Sequence, residues 1–348
     1  MPEPMSGKTD ARRKGRVLFV HPTKSAFIQS DIDVLSGHFD LRVVDVGSRT
    51  RSLRNMVGAF WELLRGAMWA DIAFCWFVER HTKWAVRIVR VLGKPSVVVV
   101  GGYEVAKVPE IGHGSLLDPK KAKMVKHVLE RATAVLAVSE FSRQEILACS
   151  RPRRVEVLHN GVDAEKFRST PPKEDLVVTV GAVSKRTVRL KGIETFVASA
   201  ASVPDARFLV VGPCSEDVAE QLKQGAPKNV SFLGFVPHKE LLGIYGKAKV
   251  YCQLSRYESF GVALVEAMSC ECVPVVTACG ALPEIVGDAG FIVPWEDVQS
   301  ASRAIQQALR TPDGKKARER AKNIFSIDIR ERGLVRIVDG LIRAQSDR

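Results

Sequence analysis

The residues with the clearest chemical potential are two glutamates eight positions apart, in Glu258-Ser-Phe-Gly-Val-Ala-Leu-Val-Glu266. Ser259 is a good helix N-cap, and a helix starting near Gly261 would leave first-turn N–H groups free to receive an anion. Glycine there lets a ligand approach the backbone. Glu258 would stand just outside this helix mouth, where a carboxylate can accept hydrogen bonds from a hydroxyl-rich ligand. Glu266 would lie about two turns along and point to a different part of a long ligand. The plainer alternative is a solvated glutamate at a helix start and a packing-side salt bridge. Further on, Gly280-Ala-Leu-Pro-Glu284 places small residues and a carboxylate at what reads as another helix mouth.

These residues need a scaffold, and the chain alternates short apolar bursts with longer amphipathic stretches. Residues 16–19, 41–46, 72–76, 96–100 and 135–138 read as strands, with Val97-Val98-Val99-Val100 apolar throughout, as in a strand covered on both faces. Residues 52–68, 79–92 and 118–131 carry helical spacing between them. Pro171 and Pro172 break regular structure in a linker, after which the rhythm restarts at 176–180, 208–211, 230–233, 250–254, 273–277 and 291–293. A last helix spans about 327–342. This is the alternation of open parallel sheets, with ligand-binding loops at the carboxyl edge.

The 348 residues are 46% apolar, enough for two cores, and the division expected is 1–170, 171–325 and a C-terminal helix in 326–348 that can cross back to the first domain. Only 26% of positions are charged, which excludes a disordered chain. No apolar run reaches the length that spans a bilayer, and the polar, basic start is unlike a secretory leader. Seven cysteines, an odd number, read as reduced thiols, and Cys270-Glu-Cys272 has no second pair to complete a zinc site. The expectation is a cytoplasmic protein, with peripheral attachment to the inner face of the membrane as an option. The net charge of +13 asks for an anionic partner. Arg49, Arg51 and Arg54, then Trp61, Trp84, Arg80, Lys83, Arg87 and Arg90, form a basic, aromatic stretch suited to an anionic membrane, although Trp61 and Trp84 also read as core anchors.

Taken together, Asn160-Gly161-Val162-Asp163, the segment from Val180-Gly181 to Lys191-Gly192-Ile193, Gly234-Phe235-Val236, the Glu258–Glu266 run and Gly280 to Val286 resemble the retaining glycosyltransferases of family 4. The resemblance covers roughly residues 155–295. It implies an α/β GT-B fold, two Rossmann-like domains facing each other across a cleft, the first binding acceptor and the second the donor. It also implies a nucleotide-diphosphate sugar as donor substrate with no cofactor and no metal, in keeping with the lack of a DxD-like pair after a strand. The acceptor would be a glycan or a lipid-linked hydroxyl.

By the same resemblance Glu258 contacts the donor sugar, Glu266 the ribose, and Lys191-Gly192 the diphosphate, where an ammonium offsets charge on the departing nucleotide. Ser259, Phe260 and Gly261 complete that helix mouth, and Glu284 orients the site. The arginine usual after the glycine equivalent to Gly181 is Ala182 here, so Lys185 is the first choice for the missing cation, ahead of Arg186 and Arg189. The first strand is followed by His21-Pro-Thr-Lys24-Ser-Ala-Phe27 without the usual glycines. In place of the family's catalytic-region histidine the chain offers Gly101-Gly102-Tyr103-Glu104, with His113 beyond, so Glu104 and His113 are the first-domain candidates.

Two rivals remain open at this level. One is another GT-B enzyme, such as a nucleotide-sugar epimerase. The other is a degenerate GT-B protein binding RNA or an anionic polymer, although no RNA-reading module is present and no nucleic acid partner is expected.

Overall fold

The structure, a computed structural model, describes residues 14–47, 53–311 and 314–347. Strands β1 (Arg16–His21), β2 (Asp40–Asp45), β3 (Ile72–Trp76), β4 (Ser96–Val100), β5 (Ala134–Ala137) and β6 (Val155–Val157) form one parallel sheet, in the order β2-β1-β3-β4-β5-β6. Its crossovers are α1 (Ala26–His38), α2 (Leu53–Trp69), α3 (Arg80–Val91), α4 (Pro119–Leu129) and α5 (Glu140–Cys149). The fully buried β3 and β4 explain their near-continuous apolar sequences. Helix α1 carries no clean apolar stripe, because Asp31 sits on its inward face between Ile28 and Leu35.

A second parallel sheet follows, from β7 (Glu174–Val180), β8 (Arg207–Val211), β9 (Val230–Gly234), β10 (Ala248–Gln253), β11 (Val273–Thr277) and β12 (Phe291–Val293), in the order β12-β11-β10-β7-β8-β9. Helices α6 (Ile193–Ser199), α7 (Glu216–Gly225), α8 (His238–Lys247), α9 (Val262–Ser269), α10 (Leu282–Val286) and α11 (Val298–Arg310) flank it, and α12 (Lys315–Phe325) packs on α9. The strand order reverses between β7 and β10. That reversal puts the loops leaving those two strands side by side at the carboxyl edge, where open α/β sheets bind ligands. Two Rossmann-like domains therefore make up the chain, as in the GT-B architecture.

The last helix, α13 (Ile327–Ser346), lies against α1 and β3 of the first domain. Val162 N–H donates to Phe325 and Ile327 N–H donates to Val162, so the chain leaving the first domain pairs with the chain returning to it. A Cβ on Gly161 would come within 2.8 Å of the Ile327 backbone, which is why this crossing needs a glycine. At its centre Arg330 is buried with Asp31, their contacts 2.5 and 2.7 Å long. Trp76 donates to the same carboxylate, and Arg330 also reaches the carbonyls of Leu158 and His159.

Candidate active site

The loop leaving β7 and the loop leaving β10 meet at Lys191 and Glu258, whose Nζ and Oε2 are 2.8 Å apart. Several features hold the pair in place. The stem of Lys191 runs over Gly181, where an added Cβ would touch Lys191 Cγ at 3.6 Å. Gly192 has φ +64 and lies so close to the Leu254 carbonyl that any side chain would collide with it. Gly280 lies equally close to the Glu258 backbone, and Ala281 N–H donates to the Glu258 carbonyl. Gln253, at the end of β10, donates to Glu258 Oε2 at 2.7 Å and takes a bond from buried Tyr251. Among the described residues, Glu258 Oε1 accepts no hydrogen bond.

Helix α9 opens beside this pair. Its cap is Gly261 at φ +92, and no side chain caps it, so the first-turn amides are available to an anion. Ser259, expected as that cap, instead donates across the cleft to the Gly101 carbonyl. The ring of Phe260 is buried against Phe325 and His159, which leaves its backbone to face a ligand. Glu266 sits on α9, nearly buried, with Oε1 3.4 Å from His238 Nε2. Burial pushes its carboxyl above the usual range, against the opposing pull of His238.

From the first domain, His113 faces this cluster, its ring packed between Tyr103 and Tyr257. Partial burial lowers the affinity of His113 for a proton, Arg186 and Lys191 lower it further, and Glu258 opposes them. The imidazole is therefore neutral at neutral pH and can exchange a proton or a hydrogen bond. Its loop is set by Gly112 and Gly114, both at positive φ, and at Gly114 a Cβ would strike the Ala106 carbonyl. A histidine between two such glycines was the available sequence signal.

Glu104 does not join the cluster. It is buried and accepts hydrogen bonds from the backbone N–H groups of Val78, Gly101 and Gly102, so its carboxylate shapes the loop and offers nothing to a substrate. Lys185 is also elsewhere, fully exposed and paired with Asp217 at 2.9 Å. Arg186 takes the cleft position instead, donating to the Tyr103 hydroxyl at 3.1 Å. Glu284 accepts from the N–H groups of Glu140 and Phe141 at the start of α5 and lies 3.1 Å from His159 Nε2. Sequence reasoning missed these bridges between domains, as it missed Tyr257, which meets the Gly102 carbonyl and Glu145. Among the described residues, no group of three or more His, Cys, Asp or Glu is placed to hold a metal ion.

Residues 11–166 match the family described as Glycosyltransferase Family 4, and residues 162–325 the one described as Glycosyl transferases group 1. The chain belongs to glycosyltransferase family 4. It is 26% identical over 275 residues to a D-inositol 3-phosphate glycosyltransferase of Mycobacterium sp. (strain KMS), covering 72% of this chain and 59% of that protein. It is 30% identical to the gpi3 subunit of the Schizosaccharomyces pombe phosphatidylinositol N-acetylglucosaminyltransferase, over 50% of this chain and 41% of that one. The chain thus spans about three fifths, or less, of these two relatives' lengths.

Among solved structures, Anabaena HepE in complex with UDP and glucose superposes with a TM-score of 0.76 at 16% identity, over 94% of this chain and 100% of that one. Sucrose-phosphate synthase from Thermosynechococcus elongatus superposes with a TM-score of 0.76 at 18% identity, over 95% and 100%. At such identities the likeness establishes the fold alone and leaves the chemistry to the site itself.

Proposed function

We propose that this family 4 chain is a retaining glycosyltransferase that moves a sugar from a nucleotide-diphosphate sugar to a hydroxyl of a glycan or a lipid-linked acceptor. The second domain holds the donor and the first receives the acceptor. The observation that carries this reading is the Lys191–Glu258 contact at the uncapped mouth of α9. An ammonium and free amides stand there for a diphosphate, next to a carboxylate with an unspent oxygen for sugar hydroxyls. An entering diphosphate takes the ammonium, and Glu258 is released to the sugar.

As the bond from the anomeric carbon to the diphosphate oxygen breaks, Lys191, Arg186 and the α9 amides stabilise the negative charge on the leaving group. The acceptor oxygen then bonds to the same face of that carbon, and its proton passes to the departing phosphate oxygen. Neutral His113 orients the hydroxyls on that face. Contacts from Ser259, Tyr257 and Glu284 to the first domain close the cleft and limit donor hydrolysis.

The test begins with a panel of nucleotide sugars screened for protection against thermal unfolding, because a ligand bound only by the native state raises Tm. The protecting donor is then offered with acceptors, and the anomeric configuration of the product is read by NMR. Retention with release of nucleoside diphosphate supports the proposal. An inverted product, or free sugar phosphate as the obligate product, overturns it.

A further inference from the structure

Helices α2, α3 and α4 cover one face of the first sheet with Leu63, Ala67, Val86, Val89, Val125 and Val128. Their outward sides have an unusual composition. On α3, Arg80, Lys83, Trp84, Arg87, Arg90 and Val91 are all exposed and fall within about 120° of one helix face. Val91 is 82% exposed and Trp84 44%. On neighbouring α2, Val57, Trp61 and Met68 repeat at helical spacing, each more than half exposed. Phe60 links the two helices, standing edge-on to Trp84 at 5.7 Å. Trp61 and Trp84 are therefore not core anchors.

Between α3 and α4 runs a groove of about 480 Å³ lined by Lys83, Arg87, Arg90, His127 and Arg131 together with Val91, and no carboxylate is among its lining residues. The acids nearby are otherwise engaged, Glu130 with Lys126 and Glu79 beside Lys121. The convergence is felt at His127, held below its ordinary range by burial and then by Arg131, Lys83, Arg87 and Arg90. Like charges gathered without a counter-charge repel one another, and an external anion relieves them. Exposed valine, methionine and indole beside them gain only from hydrocarbon. A phosphodiester chain would use the cations and stacking rings but leave the aliphatic stripe in water.

We propose that the outward face of α2 and α3, with the α3–α4 groove, docks on an anionic lipid bilayer. Trp61, Trp84 and Val91 enter the boundary between headgroups and acyl chains, and Lys83, Arg87, Arg90 and Arg131 bind lipid phosphates. Arg49 and Arg51 of the same basic stretch lie outside the described residues. Helix α3 starts at the carboxyl edge of β3, so Lys83 and Trp84 lie toward the edge that carries the His113 loop, while Arg90, Val91 and Arg131 lie toward the opposite edge. The inference deepens the lipid-linked option proposed above, but vesicle binding requires no turnover and is tested separately.

The test is flotation of the full chain with phosphatidylcholine vesicles, with and without phosphatidylglycerol, at low and high salt. Flotation with the anionic vesicles alone, reduced by salt, is expected. The pair Arg87→Glu and Arg90→Glu should lower partitioning roughly 30-fold or more, and Trp61→Ala with Trp84→Ala roughly tenfold. Both double variants should keep the wild-type Tm and any Tm shift given by a nucleotide sugar, which separates loss of docking from loss of the fold or donor site. The proposal is overturned if the wild type does not float, or if flotation survives both double variants. Salt-dependent binding of single-stranded RNA without flotation would also overturn it and assign the face to nucleic acid.

Discussion

Two ion pairs of nearly the same chemistry, Arg330–Asp31 and Lys191–Glu258, behave as opposites. The first has side chains 2% and 0% exposed, and the second 27% and 16%. Arg330 spends its guanidinium on both oxygens of Asp31 and on two carbonyls, while Trp76 takes a further bond to the carboxylate. Lys191 makes one bond to Glu258, and a carboxylate oxygen next to it is unspent. A saturated pair has nothing left to give a ligand, whereas an unsaturated pair at a helix mouth is a site. Burial and spare hydrogen-bonding capacity, more than charge, distinguish a fastening from a reaction centre.

The contrast is easiest to break at its stronger end. Arg330→Met strands a buried carboxylate and two buried carbonyls, and should cost about 3–5 kcal/mol of unfolding free energy by chemical denaturation. At the other pair, Lys191→Ala should lower kcat by roughly 10²- to 10³-fold, as loss of one group stabilising developing negative charge does. Its stability should change by no more than about 1 kcal/mol, as for pairs in contact with water. If Lys191→Ala unfolds the protein as readily as Arg330→Met, or turns over at the wild-type rate, the two pairs are not different in kind.

The same contrast explains what was legible in the sequence. Strands β3, β4, β11 and β12 are read to the residue because each is a short, mostly apolar run, and all but β3 stop at small or turn-forming residues. Lys191 and Glu258 are 67 positions apart, and they were readable as one site only because the surrounding motifs resemble a family. The fastening had no such help. Asp31 and Arg330 are 299 positions apart, and Asp31 also hides the apolar stripe of its own helix.

Glu104 misled for a related reason. A carboxylate two residues after a pair of glycines has the sequence of a substrate ligand, but three backbone N–H groups already claim its oxygens. Which hydrogen-bond partners a side chain has already taken is a property of the folded loop, and no local pattern displays it. Ser259 shows the same limit, because Gly261 rather than the serine sets the helix cap and leaves the hydroxyl for Gly101.

Between the extremes lies Glu145 of α5, partly buried against Tyr257 of the second domain. Burial pushes its carboxyl from 4.5 up to about 7, against the smaller opposing effect of the Tyr257 hydrogen bond. The sign follows from proton binding. Between those two values the folded chain holds a proton that the unfolded chain has lost, so this group's contribution to stability falls as pH rises from about 4.5 to about 7. Glu145→Gln should flatten Tm against pH across that window. An unchanged slope would show that this carboxyl is well solvated and that the seam behaves like the open pair.

The smallest effect is expected where exposure is greatest. Lys185 and Asp217 are 82% and 54% exposed, and a pair so thoroughly solvated contributes little to a fold and, lying outside the cleft, nothing to a reaction. Lys185→Ala should leave both Tm and kcat at wild-type values. Its neighbour Arg186 faces His113 and Tyr103, so Arg186→Ala should lower kcat/KM by about tenfold, the scale of one hydrogen bond to a charged group. Measuring the two side by side isolates position, since the substitutions remove the same charge one residue apart. A larger loss at Lys185 would mean that the 181–192 loop rearranges on donor binding and that the cation completing the site is the one now paired with Asp217.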